Sequence, residues 1–139
     1  GQLDALTPTL RKSISTAREI TEIYDQYYLN IGIAYGGREE IVDAVRDLLV
    51  KYEQEGIGLR EAAQRVSVDE IGSHLYLKGI PEPDLIIRAS GEVRLSGFLL
   101  WQSVHSEFYF CDAYWPAFRN IDLLRAIRSF QQRKRRYGR

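Results

Sequence analysis

The sequence predicts an α/β domain in which helices flank a parallel sheet. Helical and strand-like segments alternate along the chain, glycine or proline turns separate them, and residues 85–87 form a short run that is apolar throughout. A continuously apolar strand is typical of parallel sheets because helices cover both of its faces. Three strands make a small sheet and no strand precedes the first helix, so we expect residues 1–139 to form a single partial domain.

The first half of the chain predicts two helices around one buried strand. Residues 7–24 are amphipathic, with Pro8 suited to the first turn of a helix. Residues 28–34 predict a buried strand that glycines end, and a strong helix follows from residue 38 to about residue 52. The apolar faces of the two helices are expected to comprise Leu10, Ile14, Ala17, Ile20, Ile41, Val45, Leu48 and Tyr52.

The second half predicts the rest of the sheet and its helices. Residues 60–77 predict a polar helical stretch, and residues 85–87 predict the next strand. Residues 98–104 are apolar on nearly all sides, which indicates a buried helix. Residues 108–110 predict a short final strand, and the last helix is expected from about residue 122 to residue 136. Its buried face is expected to comprise Leu123, Ile127 and Phe130.

Composition excludes several classes of protein. With 45% apolar and 27% charged residues, the chain has the composition of a globular protein and not of a disordered one. Nineteen basic residues balance nineteen acidic ones, so any anion site must be local. A single cysteine, Cys111, excludes an internal disulfide and fits a reducing compartment. No apolar run approaches the roughly 18 residues of a membrane span, and we expect a cytoplasmic protein.

Three places in the sequence are expected at the carboxyl ends of the strands, where parallel α/β sheets bind ligands. Arg88 directly follows the run 85–87, the turn 36–38 follows the first predicted strand, and Glu107 lies between the buried helix and the last strand. The glycines of the turn 36–38 are explained by backbone geometry, because glycine adopts tight-turn conformations readily, so this turn is not taken as a binding site. The densest group of candidate residues is therefore the one that begins at Arg88, and Glu107 is a nearby carboxylate.

Residues 88–96 combine two arginines, a glycine and two serines within nine positions. A guanidinium suits phosphate because its planar fork donates two parallel hydrogen bonds and does not lose its charge. Ser96 precedes the predicted helix 98–104, so it would cap a helix whose N-terminus favours an anion. The pattern predicts a diphosphate cradle of Arg88, Arg94 and Ser96, with Glu107 nearby to hold Mg²⁺.

Each of these residues also has a purely structural interpretation. Arg88 could pair with Glu92 or Asp84, and Ser96 could be only a helix cap. Glu107 could be a solvated surface carboxylate, as most glutamates are. Spacing alone leaves these alternatives open.

Two stretches of the sequence resemble the signature motifs of the cis-prenyltransferases, which extend isoprenoid diphosphates by adding isopentenyl diphosphate units in the Z configuration. The C-terminal motif comprises residues 84–92, Arg94, Ser96, residues 98–102 and Glu107. The motif before it comprises residues 29–31, 35–38 and 40–41. Both occur in the family's order and at its separation, and the resemblance runs from about Leu3 to the last residue.

The resemblance implies a role for each residue of the cradle. Arg88, Arg94 and Ser96 would bind the diphosphate of isopentenyl diphosphate. Glu107 would help to hold Mg²⁺ between isopentenyl diphosphate and the allylic diphosphate substrate. Ala89 stands where the family usually has threonine, and Val93 where bacterial members often have histidine. Neither departure removes a charge from the cradle, so we expect the two substitutions to adjust diphosphate binding and not to abolish it.

The basic end of the chain resembles the family's C-terminal Arg-x-Gly motif. Arg136 and Gly138 would reach across a homodimer and cover the isopentenyl site of the partner subunit. The alternative is a solvated run of charge, because five basic residues crowd into the last seven positions.

The family's N-terminal motif, of the Met-Asp-Gly-Asn-Gly-Arg type, has no counterpart in this sequence. In the family its aspartate binds Mg²⁺ and the allylic diphosphate. The resemblance therefore implies the C-terminal half of a cis-prenyltransferase, without the catalytic aspartate and inactive alone. The family's product is a membrane-associated lipid. The resemblance therefore implies a cytoplasmic protein that can also lie at the membrane surface.

Two other classes of function compete with this interpretation. Some family heterodimers pair an active chain with a non-catalytic partner subunit that keeps the Arg-x-Gly motif. Such partners tend to lose the cradle residues, whereas this chain retains them. A nucleic-acid-binding module would use the basic end, but the balanced total charge argues against it.

Overall fold

A computed structural model describes residues 1–133 of the chain. They divide into two compact units, one formed by Gly1–Lys78 and one that begins at Gly79. The second unit contains a parallel sheet and the other regular elements of residues 1–133 are helices, so the α/β class is confirmed. The expectation of a single partial domain stays a prediction. Within residues 1–133, no helix has both the length and the apolar character needed to cross a membrane.

The first unit is built from four helices. They are α1 (Pro8–Thr21), α2 (Gly37–Gln54), α3 (Leu59–Arg65) and α4 (Val68–Gly72), with a short 3₁₀ turn at Leu3–Ala5 before them. Thr7 caps α1 by accepting a hydrogen bond from the Leu10 amide at 3.4 Å, and proline follows it as expected. The single helical stretch expected over residues 60–77 is wrong. Ser67 begins a new helix there by accepting a hydrogen bond from the Glu70 amide at 3.2 Å.

The core of the first unit lies where α2 meets α3 and α4. Leu48, Tyr52 and Ala62 are buried together, with Ile57 and Ile71 packed against them. The predicted inward face of α2 is thus confirmed at Leu48 and Tyr52.

The apolar stripe of α1 does not form part of a core, contrary to expectation. Leu10 is 40% exposed and Ile20 is 65% exposed, and Ala17 is exposed as well. The periodicity identified the helix correctly, but it gives no information about which element covers the stripe.

A buried carboxylate joins the start of α2 to the end of the first unit. Glu40 is fully buried and accepts hydrogen bonds from the Tyr35 hydroxyl at 2.5 Å and from the Tyr76 amide at 3.0 Å. The Tyr76 hydroxyl donates to Asp43, one turn further along α2, at 2.6 Å. Buried polar groups need such partners, because an unsatisfied one costs about 1–3 kcal/mol.

These contacts predict that the stability of the first unit falls at alkaline pH. Burial, together with the hydrogen bond to Asp43, raises the pKa of Tyr76 from 10.0 to about 12. A raised folded-state pKa contributes stability that is present below pH 10 and is lost as pH rises toward about 12. We expect Tyr76→Phe to flatten this decline, measured as unfolding free energy by denaturant titration at successive pH values. The exposed Tyr114→Phe variant is the control, and an unchanged slope in Tyr76→Phe would contradict the assignment.

The strand expected over residues 28–34 is wrong for this structure. The segment has no helix or strand assignment, and Tyr28, Leu29 and Ile31 are 73%, 86% and 71% exposed. A strand requires a neighbour with which to exchange backbone hydrogen bonds. Among residues 1–78, the structure contains no strand that could be this neighbour.

The second unit contains the sheet. Strands β1 (Leu85–Arg88) and β2 (Glu107–Phe110) pair in parallel, so both predicted strands are confirmed, although the sheet has two strands within the described part of the chain. Leu85 lies opposite Glu107, and Arg88 lies opposite Phe110. The carboxyl ends of both strands therefore meet at Arg88 and Phe110.

The buried helix expected over residues 98–104 is wrong. Hydrogen-bonded turns replace it, and Phe98 and Val104 are 47% and 71% exposed. Gly97 has φ 84° and Leu99 has φ 51°, both outside the right-handed helical region. Ser96 therefore does not cap a helix.

The last helix of the described chain, α5 (Asn120–Gln132), packs against β2. In its first turn, the backbone amide and the guanidinium of Arg119 donate hydrogen bonds to the Asp122 carboxylate. These hydrogen bonds hold the pKa of Asp122 below its ordinary value. The expected apolar face is only partly correct. Leu123 and Ile127 are 41% and 38% exposed, whereas Ala126 is fully buried.

Candidate anion-binding site

Arg88 lies at the carboxyl end of β1, where the sequence places the candidate site. Its carbonyl accepts a hydrogen bond from the Cys111 amide at 2.8 Å, which extends the sheet by one residue. Beyond it, the Ser90 amide donates to the Ala113 carbonyl at 2.9 Å and the Gly91 amide to the Cys111 carbonyl at 3.0 Å. The loop after β1 is thus anchored to the segment that follows β2.

One residue of this loop has a strained backbone. Ser90 has φ 94°, which a residue with a side chain rarely adopts, whereas Gly91 has φ 69°, which glycine adopts readily. A conformation such as that of Ser90 costs on the order of 1–3 kcal/mol, and such conformations cluster at functional sites. The strain therefore supports a functional interpretation of the loop after Arg88.

The structure brings Arg88 and Ser96 together. One terminal nitrogen of the guanidinium, Nη1, donates to the Ser96 hydroxyl at 2.9 Å. The Nε of Arg88 is buried and has no hydrogen-bond partner among residues 1–133. Neither Glu92 nor Asp84 forms an ion pair with Arg88 in the described chain, which weakens the purely structural interpretation of this arginine.

A cleft of about 260 Å³ opens beside Arg88. Its lining combines this guanidinium and the Ser96 hydroxyl with apolar side chains. The lining residues are Ile86, Ile87, Arg88, Ala89, Leu95, Ser96 and Phe98. A polar end and an apolar wall suit a ligand that joins an anion to a short hydrocarbon.

Within residues 1–133, no contact joins Arg94 to Arg88. Its Nε forms an ion pair with Glu92 at 2.9 Å, and its side chain is 75% exposed. An exposed ion pair is worth about 0–1 kcal/mol, so an incoming anion could displace it. The role of Arg94 in the cradle stays a prediction.

Glu107 is the first residue of β2, so the expectation that it lies at the carboxyl end of the sheet is wrong. It lies opposite Leu85, at the end of the sheet away from Arg88. Its carboxylate pairs with Nη1 of Arg133 at 2.6 Å, and the same nitrogen donates to the Phe108 carbonyl at 3.1 Å. Glu107 is thus an ion-paired carboxylate with a defined partner.

The described residues do not form a metal site among themselves. Residues 1–133 contain no group of three histidine, cysteine or acidic side chains that could hold a metal ion. One carboxylate already paired with an arginine does not by itself fit Mg²⁺. Arg136 and Gly138, the expected cover of the partner's site, lie outside the described residues.

Sequence reasoning missed two features of this site. The apolar wall includes Leu95 and Phe98, whereas Phe98 had been assigned to a buried helix. Arg133 is one of the five basic residues near the end of the chain, and its pairing with Glu107 was not expected. Its contact with Glu107 spans 26 positions and depends on how α5 packs on β2, so no local pattern could have predicted it.

The fold and the cleft define an α/β protein with a candidate anion site at the carboxyl end of its sheet. A model of the undecaprenyl diphosphate synthase family matches residues 1–138. The chain therefore belongs to this family of prenyltransferases, and the resemblance to cis-prenyltransferases is confirmed.

Individual relatives agree with this family. The isoprenyl transferase of Deinococcus radiodurans is 53% identical over 138 residues, which are 99% of this chain and 50% of that protein. The isoprenyl transferase of Thermus thermophilus is 52% identical over 139 residues, covering 100% of this chain and 53% of that protein. Lavandulyl diphosphate synthase from Lavandula x intermedia, solved in complex with dimethylallyl diphosphate, matches with a TM-score of 0.90 and 37% identity. The match covers 100% of this chain and 58% of that structure.

This chain spans about half the length of the curated relatives it matches.

Proposed function

We propose that this chain is the isopentenyl-diphosphate-binding part of a Z-isoprenyl diphosphate synthase. One observation carries the proposal: Arg88 lies at the carboxyl end of β1 with a buried, unpartnered Nε and with Nη1 bound to Ser96 beside the cleft. Membership of the prenyltransferase family supports the choice of a prenyl diphosphate over other anions.

Each part of the cleft would bind one part of the substrate. Arg88 and Ser96 would donate hydrogen bonds to the diphosphate oxygens, and charge-assisted bonds of this kind are about twice as strong as neutral ones. Arg94 would add a second cation once it exchanges Glu92 for the substrate. Ile86, Leu95 and Phe98 would contact the five-carbon isopentenyl group.

In the intact enzyme, the proposed reaction joins isopentenyl diphosphate to an allylic diphosphate. The bond between the allylic carbon and its diphosphate breaks, and the isopentenyl double bond attacks that carbon. The diphosphate leaves with the electron pair of the broken bond, a proton passes from the isopentenyl unit to a base such as this released diphosphate, and a new Z double bond forms. Residues of this chain would hold the isopentenyl diphosphate in place, so their contribution would be positioning and charge stabilisation.

Metal, partner and location are further parts of the proposal. Members of this family are generally metal-dependent, and Mg²⁺ would suit the two diphosphates. Glu107 would reach the metal only after release from Arg133. Arg136 and Gly138 would cover the isopentenyl site of a partner subunit in a homodimer, in the cytoplasm or at the membrane surface.

We expect isothermal titration to detect binding of isopentenyl diphosphate to this chain, and an assay with an allylic diphosphate to detect no condensation. Isopentenol, which has the same hydrocarbon without the diphosphate, is the control ligand and should not bind. Titrations with and without Mg²⁺ separate the arginine cradle from any metal contribution. Condensation by this chain alone would overturn the assignment to a binding part, and a folded chain that does not bind would overturn the cradle.

A further inference from the structure

Basic and acidic residues are distributed unevenly along the chain, although their totals are equal. Eight of the nineteen basic residues and one of the nineteen acidic residues lie between positions 119 and 139. Residues 119–139 therefore carry a net charge of +7, whereas residues 1–118 carry −7. A charge asymmetry of this size indicates an anionic partner for the basic part of the chain.

The helix α5 lies in this basic part and exposes its arginines without exposing an acid. The side chain of Arg125 is 61% exposed, and Arg128 is exposed as well. Asp122 is the acidic residue of α5, and it is 5% exposed. Its carboxylate accepts hydrogen bonds from Arg119 and Arg125. The outer surface of α5 is therefore cationic.

Aliphatic side chains lie between these arginines. Ile121, Leu124 and Arg128 follow one another at spacings of three and four residues, so they share one face of the helix. Ile121 and Leu124 are 44% and 59% exposed, and Leu123 and Ile127 are 41% and 38% exposed. The buried side of α5 packs against β2. An exposed helix face that combines arginines with aliphatic side chains is typical of a helix that lies in a membrane surface.

An anionic lipid surface fits both features of this face better than a protein or a nucleic acid does. The aliphatic side chains would enter the boundary between headgroups and acyl chains, while the long stems of the arginines would let their charges reach the lipid phosphates. A second copy of the chain would bring arginines against arginines, which repel each other. A nucleic acid would pair with the arginines but would leave the aliphatic side chains facing its phosphates.

We propose that the outer face of α5 is a membrane-docking surface that binds an anionic lipid bilayer. Ile121 and Leu124 would insert at the level of the headgroups, and Arg125 and Arg128 would bind the lipid phosphates. The basic residues that follow α5 in the sequence would add to the attraction. This proposal assigns residues to the membrane-surface location given above, and it does not rest on isopentenyl diphosphate binding.

The test is binding of this chain to vesicles of two compositions. One set contains phosphatidylcholine and phosphatidylglycerol in equal parts, and the other contains phosphatidylcholine alone. We expect binding to the anionic vesicles to be at least about tenfold tighter, because each basic residue near such a surface contributes about fivefold in affinity. The difference should shrink as NaCl is added, since salt screens exposed charges. Cosedimentation at increasing lipid concentration measures both affinities.

Two variants of α5 separate charge from insertion. The double variant Arg125→Gln, Arg128→Gln removes two charges and should weaken binding to anionic vesicles about 25-fold. Leu124→Gln keeps the charge and removes an inserted aliphatic group, so it should weaken binding about fivefold. All three positions are exposed, and circular dichroism spectra establish that the variants remain folded.

Two further variants are controls. The double variant Leu59→Gln, Arg60→Gln makes the same types of change at exposed positions of α3, and it should bind vesicles like the unmodified chain. Arg88→Ala should lose isopentenyl diphosphate and keep the vesicles. Failure of the membrane surface and failure of the diphosphate site are therefore distinguishable.

Four outcomes would overturn the proposal. One is equal binding to both kinds of vesicle, or binding to neither. Another is vesicle binding that the α5 variants leave unchanged, which would place the contact elsewhere. Binding of polyuridylate RNA that the α5 variants weaken, without vesicle binding, would assign the face to a nucleic acid. Self-association that the same variants abolish, measured by light scattering in the absence of vesicle binding, would assign it to a second copy of the chain.

Discussion

Arg88→Ala is expected to weaken isopentenyl diphosphate binding at least about 100-fold, since two charge-assisted hydrogen bonds at about 1.5–3 kcal/mol each would be lost. The substitution removes the one guanidinium whose Nε is buried beside the cleft and unpartnered within residues 1–133. It also removes the donor that holds the Ser96 hydroxyl at 2.9 Å. Isothermal titration of isopentenyl diphosphate into both chains measures the effect.

Two further variants show whether the guanidinium geometry matters or only its charge. Arg88→Lys keeps the charge without the planar fork, so an intermediate loss of about tenfold is expected. Arg128→Ala removes an exposed arginine from α5 and should leave binding unchanged. Equal losses in all three variants would indicate a nonspecific charge effect and would contradict the cradle. Circular dichroism spectra establish that the variants remain folded.

The sheet could be predicted from sequence because its signal is local. Residues 85–87 and 108–110 are short apolar runs bounded by turn residues, and a strand of that kind has few alternatives. Parallel pairing was expected because a strand that is apolar throughout is covered by helices on both of its faces. The location of Arg88 at the carboxyl end of β1 followed from those two inferences, and the structure agrees with it.

The helix expected over residues 98–104 failed for a reason that periodicity cannot reveal. Its residues are apolar, as in a buried helix, but the backbone enters the left-handed region at Gly97 and Leu99. Glycine permits a positive φ without requiring it, and leucine gives no signal for one. The same turns place Phe98 beside the cleft. The incorrect helix prediction therefore also missed the part of the apolar wall that Phe98 forms.

Long-range contacts explain the remaining differences. Residues 28–34 have the apolar character of a strand, but strand formation depends on a pairing partner that no local pattern supplies. Glu107 was identified as a candidate from its motif, whereas its pairing with Arg133 depends on the packing of α5 on β2. The partners of these residues depend on packing between distant segments, which the sequence does not show.

Leu48→Ala is expected to destabilise the first unit by about 2–5 kcal/mol, because it removes buried methyl groups and leaves a cavity. Leu48 is 1% exposed and packs with Tyr52 and Ala62 where α2 meets α3. Leu49→Ala is the matched control, since that neighbour on the same helix is 49% exposed and should change stability by less than about 1 kcal/mol. Denaturant unfolding followed by circular dichroism measures both variants. Similar losses at the two positions would mean that α2 does not bury the face identified here.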